Sequence, residues 1–288
     1  MDHLQAASAA SPKFSVVIPT YRRHQQLCEC LDGLALYLDV DARRPQVPVI
    51  EVIVSDDAHE EELRLLLQQL YPWCSYVQGP RRGPAANRNH GASQASGAWL
   101  VFTDDDCLPQ PGWIEAYDQL ADQCDVMEGQ TSALDSRTRL DQECPINETG
   151  GYLWSCNFAI RCELFLQLGG FNENFPAAAM EDVELNRRIV KAGLRRLFLP
   201  SAQVKHPWRR RKGRSFVRAK ASSIATYVSL HPETAPSFSS SVQILNVLRS
   251  LKSTFTTAVS IATVQGLSRQ VALDIYAAVA TWKAVGRR

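Results

Sequence analysis

The sequence predicts an α/β protein whose mostly parallel sheet is covered by helices. In the N-terminal third, four short apolar runs bounded by turn residues alternate with three longer helix-like stretches. Such alternation is typical of parallel sheets, because each helix returns the chain to the starting edge of the sheet. The 288 residues, 45% of them hydrophobic, are enough for one large domain with an appendage, or at most for two ordinary domains.

The individual elements follow from the same patterns. Strands are predicted at 14–18, 49–55, 76–78 and 99–103, and helices at 24–38, 59–70 and 84–96. Beyond residue 125 the pattern loosens into short strands and loops. A helix that begins at Glu181 is predicted to end before Gly193, because glycine is common just after a helix C-terminus. One further strand, 197–199, leads to His206.

The charge of the chain is divided unevenly. Residues 205–288 hold 14 Lys and Arg residues against two acids, a net charge of +12, and residues 1–204 therefore carry −11. A basic tail on an acidic body favours contact with a polyanionic surface, either anionic lipid head groups or nucleic acid. A basic face that is merely solvated is the simpler alternative.

The basic part of the chain also shows helical patterns. Residues 233–241, with Pro236 and a serine cluster, are predicted to be a linker. After this linker, apolar residues recur every three positions at Val242, Leu245, Leu248 and Leu251. This one-sided stripe predicts amphipathic helices that either lie on a membrane surface or pack against the catalytic body or a second subunit.

The sequence also indicates a cellular location. Residues 1–12 show no apolar core of a secretory signal, and no run reaches the roughly 18 apolar residues of a membrane span. The eight cysteines show no repeated C-x-x-C spacing and no dense framework of the kind found in small secreted domains. We therefore expect a cytoplasmic protein with reduced thiols.

Three predicted strands end in polar or acidic residues. These strand ends carry Pro19-Thr20-Tyr21, Asp56-Asp57 and Asp104-Asp105-Asp106. Because ligands of open α/β sheets bind outside the carboxyl ends of the strands, we expect these residues to meet in one crevice. Consecutive carboxylates raise one another's pKa unless a cation neutralises them, and oxygen ligands suit Mg²⁺ or Mn²⁺. The acidic triplet therefore predicts a divalent-metal site, with an ordinary acidic turn as the alternative.

Two further segments are suited to a nucleotide. Asp56 and Asp57 can accept hydrogen bonds from a base imide or from ribose hydroxyls, although Asp57 can equally cap the helix that follows. Residues 79–91 form a glycine- and arginine-rich loop that leads into a helix. Its backbone donors, the helix N-terminus and Arg88 can all face a diphosphate.

Several segments together resemble family 2 glycosyltransferases of the GT-A fold. In order along the chain they are SVVIPTYRR at 15–23, IVSDD at 53–57, ANRNHG at 86–91 and FTDDD at 102–106, with PGW at 111–113. Three later segments are similar to the acceptor-binding half of that family: NFAIR at 157–161, GGF at 169–171 and EDVEL at 181–185. The resemblance covers about residues 13–206. It implies a GT-A fold, a Rossmann-like and mostly parallel sheet flanked by helices, here followed by a C-terminal helical tail.

The resemblance implies roles for residues on the donor side. Pro19 and Tyr21 would lie beside the nucleotide, and Asp56 or Asp57 would contact the nucleobase. Arg88 would assist in binding the nucleotide or its phosphates.

The resemblance also implies a metal site for Mn²⁺ or Mg²⁺. Asp104 and Asp106 match the outer positions of the family's D-x-D motif, with Asp106 as the direct metal ligand and Asp104 nearer the ribose. Because the triplet is continuous, Asp105 can take either role. His206 follows the last predicted strand, where related enzymes often carry a histidine that reaches the metal or the diphosphate. A purely structural histidine is the alternative.

By the same resemblance, Asp182 matches the catalytic base. A carboxylate suits this position, because the acceptor hydroxyl must lose its proton as it attacks the anomeric carbon, and one base suffices for single displacement with inversion. The metal would offset the charge that builds on the leaving diphosphate. Alternatively, Glu181 and Asp182 simply favour the positive end of a helix.

The expected enzyme is a hexosyltransferase-like glycosyltransferase with a nucleotide-diphosphate sugar as donor. Its acceptor would be a glycan or a lipid-linked glycan, in the synthesis of cell-surface glycan, polysaccharide or glycolipid. The processive synthases of this family carry a Q-x-x-R-W motif and several membrane spans, which this sequence lacks, so addition of one sugar per encounter is expected. The basic tail would add peripheral contact with an anionic membrane at its inner face, and no nucleic acid is expected as a partner.

The expected organisation has three parts. A flexible N-terminus, 1–12, precedes a catalytic domain, 13–206, and a basic linker with an amphipathic helical tail follows at 207–288. The catalytic domain would divide into a nucleotide-binding half, 13–110, and an acceptor-binding half, 111–206.

Two other functions are weighed against this one. A sugar-phosphate nucleotidyltransferase would need a glycine-rich loop directly after the first strand, and residues 19–23 contain no glycine. A non-catalytic nucleic-acid-binding protein would use the basic stretch 209–220, but it would have no reason to place acids at three strand ends.

Overall fold

The computed structural model describes residues 12–35 and 50–286, so residues 1–11 of the predicted N-terminal segment lie outside the described part of the chain. The strands are β1 (Phe14–Thr20), β2 (Ile50–Asp56), β3 (Cys74–Gln78), β4 (Trp99–Thr103), β5 (Leu108–Pro109), β6 (Val126–Ala133), β7 (Gln142–Glu143), β8 (Asn157–Arg161), β9 (Arg196–His206) and β10 (Arg209–Arg210). The helices are α1 (His24–Ala35), α2 (Glu61–Leu70), α3 (Pro84–Ser93), α4 (Trp113–Leu120), α5 (Cys162–Gln167), α6 (Glu181–Lys191), α7 (Arg214–Leu230), α8 (Ser240–Ser260) and α9 (Leu267–Val285), with a 3₁₀ helix at Pro232–Phe238.

Eight of these strands form one sheet in the order β3-β2-β1-β4-β8-β6-β9-β5. The pairs β1·β2, β1·β4, β2·β3 and β6·β9 are parallel, whereas β4·β8, β6·β8 and β5·β9 are antiparallel. The predicted mostly parallel sheet flanked by helices is thereby confirmed. Because β1 lies between β2 and β4, the connections leave it in opposite directions, and a crevice opens at the carboxyl ends of these three strands.

The predicted elements are present, several with different bounds. β3 begins at Cys74, two residues before the predicted start, and α3 ends at Ser93 rather than at 96. β9 runs well beyond the predicted 197–199, because its parallel pairing with β6 resumes after an irregularity at Gly129/Gln130. The last three residues of the predicted helix 24–38 lie outside the described part of the chain.

The side chains of β1 alternate between two hydrophobic clusters, one on each face of the sheet. Val16 and Ile18 pack in the cluster covered by α1, α2 and α4, and Val17 packs in the cluster covered by α3, α5 and α6. A strand that is buried on both faces needs apolar residues on both of them, so its sequence does not alternate between apolar and polar residues. In the second cluster, Phe102 lies 5.0 Å from Phe158 and 5.3 Å from Phe171, measured between ring centroids.

The C-terminal helices pack on one another, with α9 against both α7 and α8. The segment predicted as a linker is instead folded, since the 3₁₀ helix fills most of it and α8 begins at Ser240. Glu233 accepts hydrogen bonds from Arg187 at 2.9 Å and Lys191 at 3.0 Å, both on α6. These ion pairs connect the segment to α6, and the segment is largely helical where a linker was predicted.

Part of the basic stretch after His206 is paired with acidic side chains. Arg210 and Arg269 lie 3.3 Å and 3.1 Å from Asp141, a buried carboxylate that Arg139 also contacts at 2.9 Å. The turn before α9 passes so close to this carboxylate that a Cβ at Gly266 would collide with it. Part of the basic charge after residue 206 is therefore paired with a buried carboxylate of the protein itself. Among the described residues, no helix has both the length and the apolar content to cross a membrane.

Candidate active site

Hydrogen bonds tie the carboxyl ends of β1, β2 and β4 together. The hydroxyl of Thr20 donates to Asp105 across 2.9 Å. The amide nitrogen of Asn87, on α3, donates to the Ser55 carbonyl at 2.8 Å and to the Thr20 carbonyl at 3.3 Å. The three strand ends named in the sequence therefore meet at one crevice.

Three arginines meet the three consecutive aspartates at this crevice. Arg88 lies 2.5 Å from Asp104. Arg23 lies 2.9 Å from Asp105 and 3.3 Å from Asp106. Arg209, which follows β9, also contacts Asp106. Each carboxylate of the triplet therefore has a guanidinium partner, and the three partners come from three distant parts of the sequence.

The protonation of the triplet differs from one residue to the next. Burial alone would raise the pKa of Asp104, but the Arg88 and Arg209 guanidinium groups outweigh burial and hold it below its usual value. Burial raises the pKa of Asp105, and the opposing effects of Arg23 and Thr20 are too small to cancel it. Asp104 is therefore held as a carboxylate more strongly than Asp105.

Asp106 and His206 form the part of the site that fits a divalent metal. His206 Nε2 lies 3.6 Å from Asp106 Oδ1, and this oxygen is buried without a hydrogen-bond partner. His206 Nδ1 donates to the Pro207 carbonyl at 2.7 Å, which leaves the lone pair of Nε2 facing Asp106. Burial also lowers the pKa of His206, so the ring is held neutral, the form that binds metals. The ligand atoms of Asp106, His206 and Cys107 lie within 4.8 Å of one another.

Asp56 and Asp57 organise the two loops beside the crevice. The Asp56 carboxylate accepts from the backbone amides of Ala58 and Glu60, each at 2.8 Å. Asp57 accepts from the amides of Arg81 at 2.6 Å and Gly83 at 2.8 Å. The helix-capping alternative raised for Asp57 is not observed, because the N-terminus of α2 has no side-chain cap. Asp56 instead binds the turn that leads into α2. A nucleobase contact would use lone pairs that these bonds leave free.

The loop before α3 approaches β2 very closely. A Cβ at Gly79 would lie 2.8 Å from Asp57 Oδ1, too close for any side chain, and Gly83 has a φ of +90°, which favours glycine. Pro19 is buried in β1, whereas Tyr21 at the end of that strand is 55% exposed. Tyr21 is therefore free to contact a ligand in the crevice, and Pro19 acts by shaping the strand end.

Arg88 is buried inside the site and does not line an open pocket. Its guanidinium lies between Asp104, at 2.5 Å, and Glu181, at 3.5 Å, and 5.7 Å from the centroid of the Phe171 ring. Only a small fraction of the residue is exposed. Arg88 therefore links the end of β4 to the start of α6.

The first residues of α6 place two carboxyl groups at the crevice. Burial raises the pKa of Glu181 to about 7, and the neighbouring Asp182 adds to the effect while Arg88 opposes it. Burial also raises the pKa of Asp182, whose carboxylate accepts from the Val183 amide at 2.8 Å. Met180, just before the helix, has a φ of +82°, a conformation that costs a non-glycine residue about 1 kcal/mol or more. The fold thus holds both acids in place at the expense of local strain.

Comparison with known proteins matches the sequence of the N-terminal part of the chain to one family. Residues 15–130 fit the family model described as glycosyl transferase family 2. This part of the chain is therefore similar to family 2 glycosyltransferases. A pre-mycofactocin glycosyltransferase of Mycobacterium tuberculosis is 32% identical over 179 residues, covering 54% of this chain and 37% of the relative. A GalNAc(5)-diNAcBac-PP-undecaprenol β-1,3-glucosyltransferase of Campylobacter jejuni is 30% identical over 100 residues, 33% of this chain and 30% of the relative. The chain matches well under half the length of either relative.

Solved structures show that the similarity of fold extends over almost the whole chain. The mannosyltransferase PcManGT of Pyrobaculum calidifontis, in complex with GDP-Man and Mn²⁺, has a TM-score of 0.60 at 19% identity, over 96% of this chain and 88% of that chain. TarS 1-349 of S. aureus, in complex with UDP-GlcNAc, has a TM-score of 0.55 at 17% identity, over 95% and 89%. These similarities show the GT-A fold predicted from the sequence.

The loop before α6 and helix α6 itself are held by the C-terminal helices. The backbone amide of Ala177, in the loop before α6, donates to the buried Ser223 hydroxyl of α7 at 3.1 Å. His231, at the end of α7, lies 3.3 Å from Glu184 on α6. In the segment before β8, the rings of Tyr152 and Trp154 stack with their centroids 5.4 Å apart, and Tyr152 is about half exposed. Helix α7 therefore fixes the loop that presents Glu181 and Asp182.

Sequence reasoning missed four residues of the site. Arg23 belongs to the first motif but received no role, and Arg209 was considered as part of the basic stretch 209–220 and not as a residue of the crevice. Glu181 was treated only as a possible helix-dipole residue, and Cys107 was counted among the cysteines without a role. The signal for Arg209 was its position three residues after His206, which places a basic side chain beside Asp106. Cys107 directly follows Asp106 in the sequence.

Proposed function

We propose that this chain is an inverting glycosyltransferase that transfers one sugar from a nucleotide-diphosphate donor to an acceptor hydroxyl. The observation that carries the proposal is the pairing of two unlike acidic sites across one crevice. One holds an unpartnered buried oxygen of Asp106 facing His206 Nε2. The other holds Glu181 and Asp182, whose pKa values are raised by burial. The first suits a cation and the second suits a proton acceptor.

The donor is proposed to lie along the carboxyl ends of β1, β2 and β4. Tyr21 would stack beside the nucleoside, and Asp56 or Asp57 would accept from the base. Arg23 and Arg209 would meet the diphosphate, because both guanidinium groups lie at the crevice, beside Asp105 and Asp106. Two structures that share this fold are complexes with nucleotide sugars, GDP-Man with PcManGT and UDP-GlcNAc with TarS. These complexes support a nucleotide-diphosphate sugar as the class of donor.

Asp106, His206 and Asp104 would hold the divalent metal, Mn²⁺ or Mg²⁺. When bound, the metal would act as a Lewis acid that stabilises charge on the diphosphate oxygens. Oxygen and imidazole ligands suit Mn²⁺, and two structures of similar fold are complexes with Mn²⁺. Arg209 shares Asp106 with the proposed metal site, so it would complete the charge balance around the diphosphate.

Asp182 is proposed to act as the general base. As the acceptor oxygen bonds to the anomeric carbon, its proton passes to the Asp182 carboxylate, and the bond from that carbon to the diphosphate oxygen breaks. The entering and leaving oxygens lie on opposite faces of the sugar, so the configuration at the anomeric carbon inverts. Glu181 lies beside the base and bridges to Arg88, which places it as a positioning group.

The acceptor is proposed to be a glycan or a lipid-linked glycan used in cell-surface polysaccharide or glycolipid synthesis. The name of the Campylobacter relative includes an undecaprenol-linked glycan, which supports this class of acceptor. The exposed ring of Tyr152, stacked on Trp154, would offer a face for an acceptor sugar. The proposed setting is the cytoplasm at the inner face of a membrane.

Nucleic-acid binding is less well supported than glycosyl transfer. Arg210 and Arg211 of the basic stretch 209–220 lie against the carboxylates of Asp141 and Asp274. These two ion pairs reduce the positive charge that the stretch offers to a phosphate backbone. The nucleotidyltransferase alternative is also disfavoured, because the residues after β1 contain no glycine.

A donor screen by thermal shift tests the proposed function. A ligand that binds only the folded chain raises the melting temperature according to its affinity. We expect at least one nucleotide-diphosphate sugar to raise the melting temperature when Mn²⁺ is present and to lose most of this effect when EDTA is added. A set of donors that leaves the melting temperature unchanged, with and without metal, would contradict the proposal.

A further inference from the structure

Helix α8 exposes an apolar stripe along its length. Ile244, Leu248, Phe255 and Val259 are 63%, 57%, 59% and 83% exposed. At 3.6 residues per turn these four positions fall within an arc of about 60°. Large apolar side chains scattered singly on a surface are ordinary, but a continuous stripe on one helix marks an interaction surface. We call these four residues the α8 stripe.

The opposite side of α8 is the more polar one. The helix turns Gln243, Asn246 and Ser250 toward α9, where they line a cavity of about 230 Å³. Ser250 donates to Asp274 of α9 at 2.5 Å, and Thr254 is buried. A surface helix of a globular protein normally buries its apolar side. The reversed polarity of α8 indicates that an apolar partner covers the α8 stripe.

The charges on α8 suit an anionic partner. The helix carries Arg249 and Lys252 and no acidic residue. Both basic side chains are exposed, and Lys252 lies at the edge of the α8 stripe, between Leu248 and Phe255. A lysine in this position can place its apolar stem beside the stripe while its ammonium group remains among polar head groups. On α9, Ile275, Val279 and Trp282 form a second exposed set at helical spacing.

We propose that α8 lies in the surface of an anionic lipid membrane, with the α8 stripe among the acyl chains and Arg249 and Lys252 at the phosphate groups. A second copy of this chain is the competing occupant. A symmetric interface would bring the same two basic residues of each copy together without an acid on either helix, which disfavours it. This inference does not depend on the glycosyltransferase proposal, since it concerns a surface formed by the C-terminal helices.

Vesicle co-sedimentation with the full chain tests this inference. Vesicles of phosphatidylcholine alone are compared with vesicles that also contain phosphatidylglycerol, at low and high salt and without any donor. We expect binding to the anionic vesicles at low salt. Leu248→Ser/Phe255→Ser should weaken this binding by at least about tenfold, because each buried side chain contributes more than the free energy of one tenfold change. Arg249→Gln/Lys252→Gln should weaken it by about fivefold per charge.

The matched control removes two equally exposed leucines from the α/β body, in the variant Leu65→Ser/Leu166→Ser, which should bind vesicles like the parent chain. The inference is overturned if the parent chain stays in the supernatant, or if the α8 variants bind as well as the control. It is also overturned if sedimentation velocity without vesicles shows a dimer that the Leu248→Ser/Phe255→Ser variant loses, because the second copy would then be the occupant.

Discussion

The end of β4 and the start of α6 each present acidic side chains to one shared arginine, and their protonation differs. Asp104 lies 2.5 Å from Arg88 and also feels Arg209, so its pKa falls despite burial. Glu181 lies 3.5 Å from the same guanidinium and beside Asp182, and burial raises its pKa to about 7. Distance to the cation and the charge of the next neighbour therefore decide whether a buried carboxyl group keeps its proton.

This difference separates Asp104, at the end of β4, chemically from the two acids of α6. Carboxylates that stay ionised are suited to hold cations, and carboxyl groups with a raised pKa are suited to exchange protons near neutral pH. The assignments proposed above, metal at β4 and base at α6, follow this division. Four variants test it, from the largest expected effect to the smallest.

Removing the charge from α6 should affect turnover and spare donor binding. Asp182→Asn is expected to lower kcat by roughly 100-fold or more, because a positioned general base is worth that much, while the donor Kd stays unchanged. Steady-state kinetics and calorimetric titration with donor and Mn²⁺ measure the two quantities. The exposed Asp122→Asn serves as the control. A kcat close to that of the parent chain removes Asp182 from the mechanism, and a product with retained anomeric configuration, seen by proton NMR, rules out single displacement.

Removing a carboxylate from the β4 side should weaken donor binding. Asp106→Ala is expected to weaken metal-dependent donor binding by about 100-fold and to leave the fold intact, because the side chain lies at a strand end and not in the hydrophobic core. Calorimetry with and without Mn²⁺ measures the loss, and circular dichroism checks the fold. An unchanged metal dependence would transfer the ligand role to Asp104 or Asp105.

The raised pKa of Glu181 predicts a dependence of stability on pH. Folded Glu181 keeps its proton up to about pH 7, whereas the unfolded chain releases it near 4.5, so the folded state binds more protons between these values. The free energy of unfolding should therefore fall as pH rises through this window, by about 3 kcal/mol at most. Glu181→Gln should remove this decline, and the exposed Glu62→Gln should retain it. Urea unfolding at about pH 5 and pH 7.5 measures the free energy of unfolding of each variant. An equal decline of this free energy between the two pH values in both variants would contradict the prediction.

The smallest expected effect concerns the support of α6 by α7. Ser223→Ala leaves the Ala177 amide without its acceptor, which should cost about 1 kcal/mol of stability and raise KM for the acceptor several-fold. Ser222→Ala is the matched control, since that hydroxyl bonds only within its own helix, to the Arg218 carbonyl. If the two variants behave alike, α7 does not position the loop before α6.

The sequence was most informative about site residues whose position follows from their neighbours in the chain. The acids at 104–106 and 181–182 stand in runs whose strand or helix can be recognised from neighbouring residues, so their placement on the sheet edge and on a helix N-terminus could be predicted. The positions of their arginine partners could not be predicted in this way. Arg23 and Arg209 reach Asp106 from segments more than 80 residues away on either side, and only the strand order brings them together.

The C-terminal helices show a second reason why some features of the structure could not be predicted from the sequence. The predicted stripe Val242, Leu245, Leu248 and Leu251 repeats every three residues, and such a repeat drifts around a helix of 3.6 residues per turn. The exposed stripe instead follows positions 244, 248, 255 and 259. A helical pattern identifies an apolar face, but which face the rest of the chain covers depends on tertiary packing.

The buried carboxylate of Asp141 bears on where the chain could be divided. The boundary predicted after residue 206 falls between this aspartate and two of its arginine partners, Arg210 and Arg269. A chain cut there would keep Asp141 and Arg139 while losing both other partners, together with the Ser223 hydroxyl that binds the loop before α6. We therefore expect the α/β body and the helices α7 and α9 to unfold together, and a fragment that ends at residue 206 to unfold at a lower temperature than the full chain.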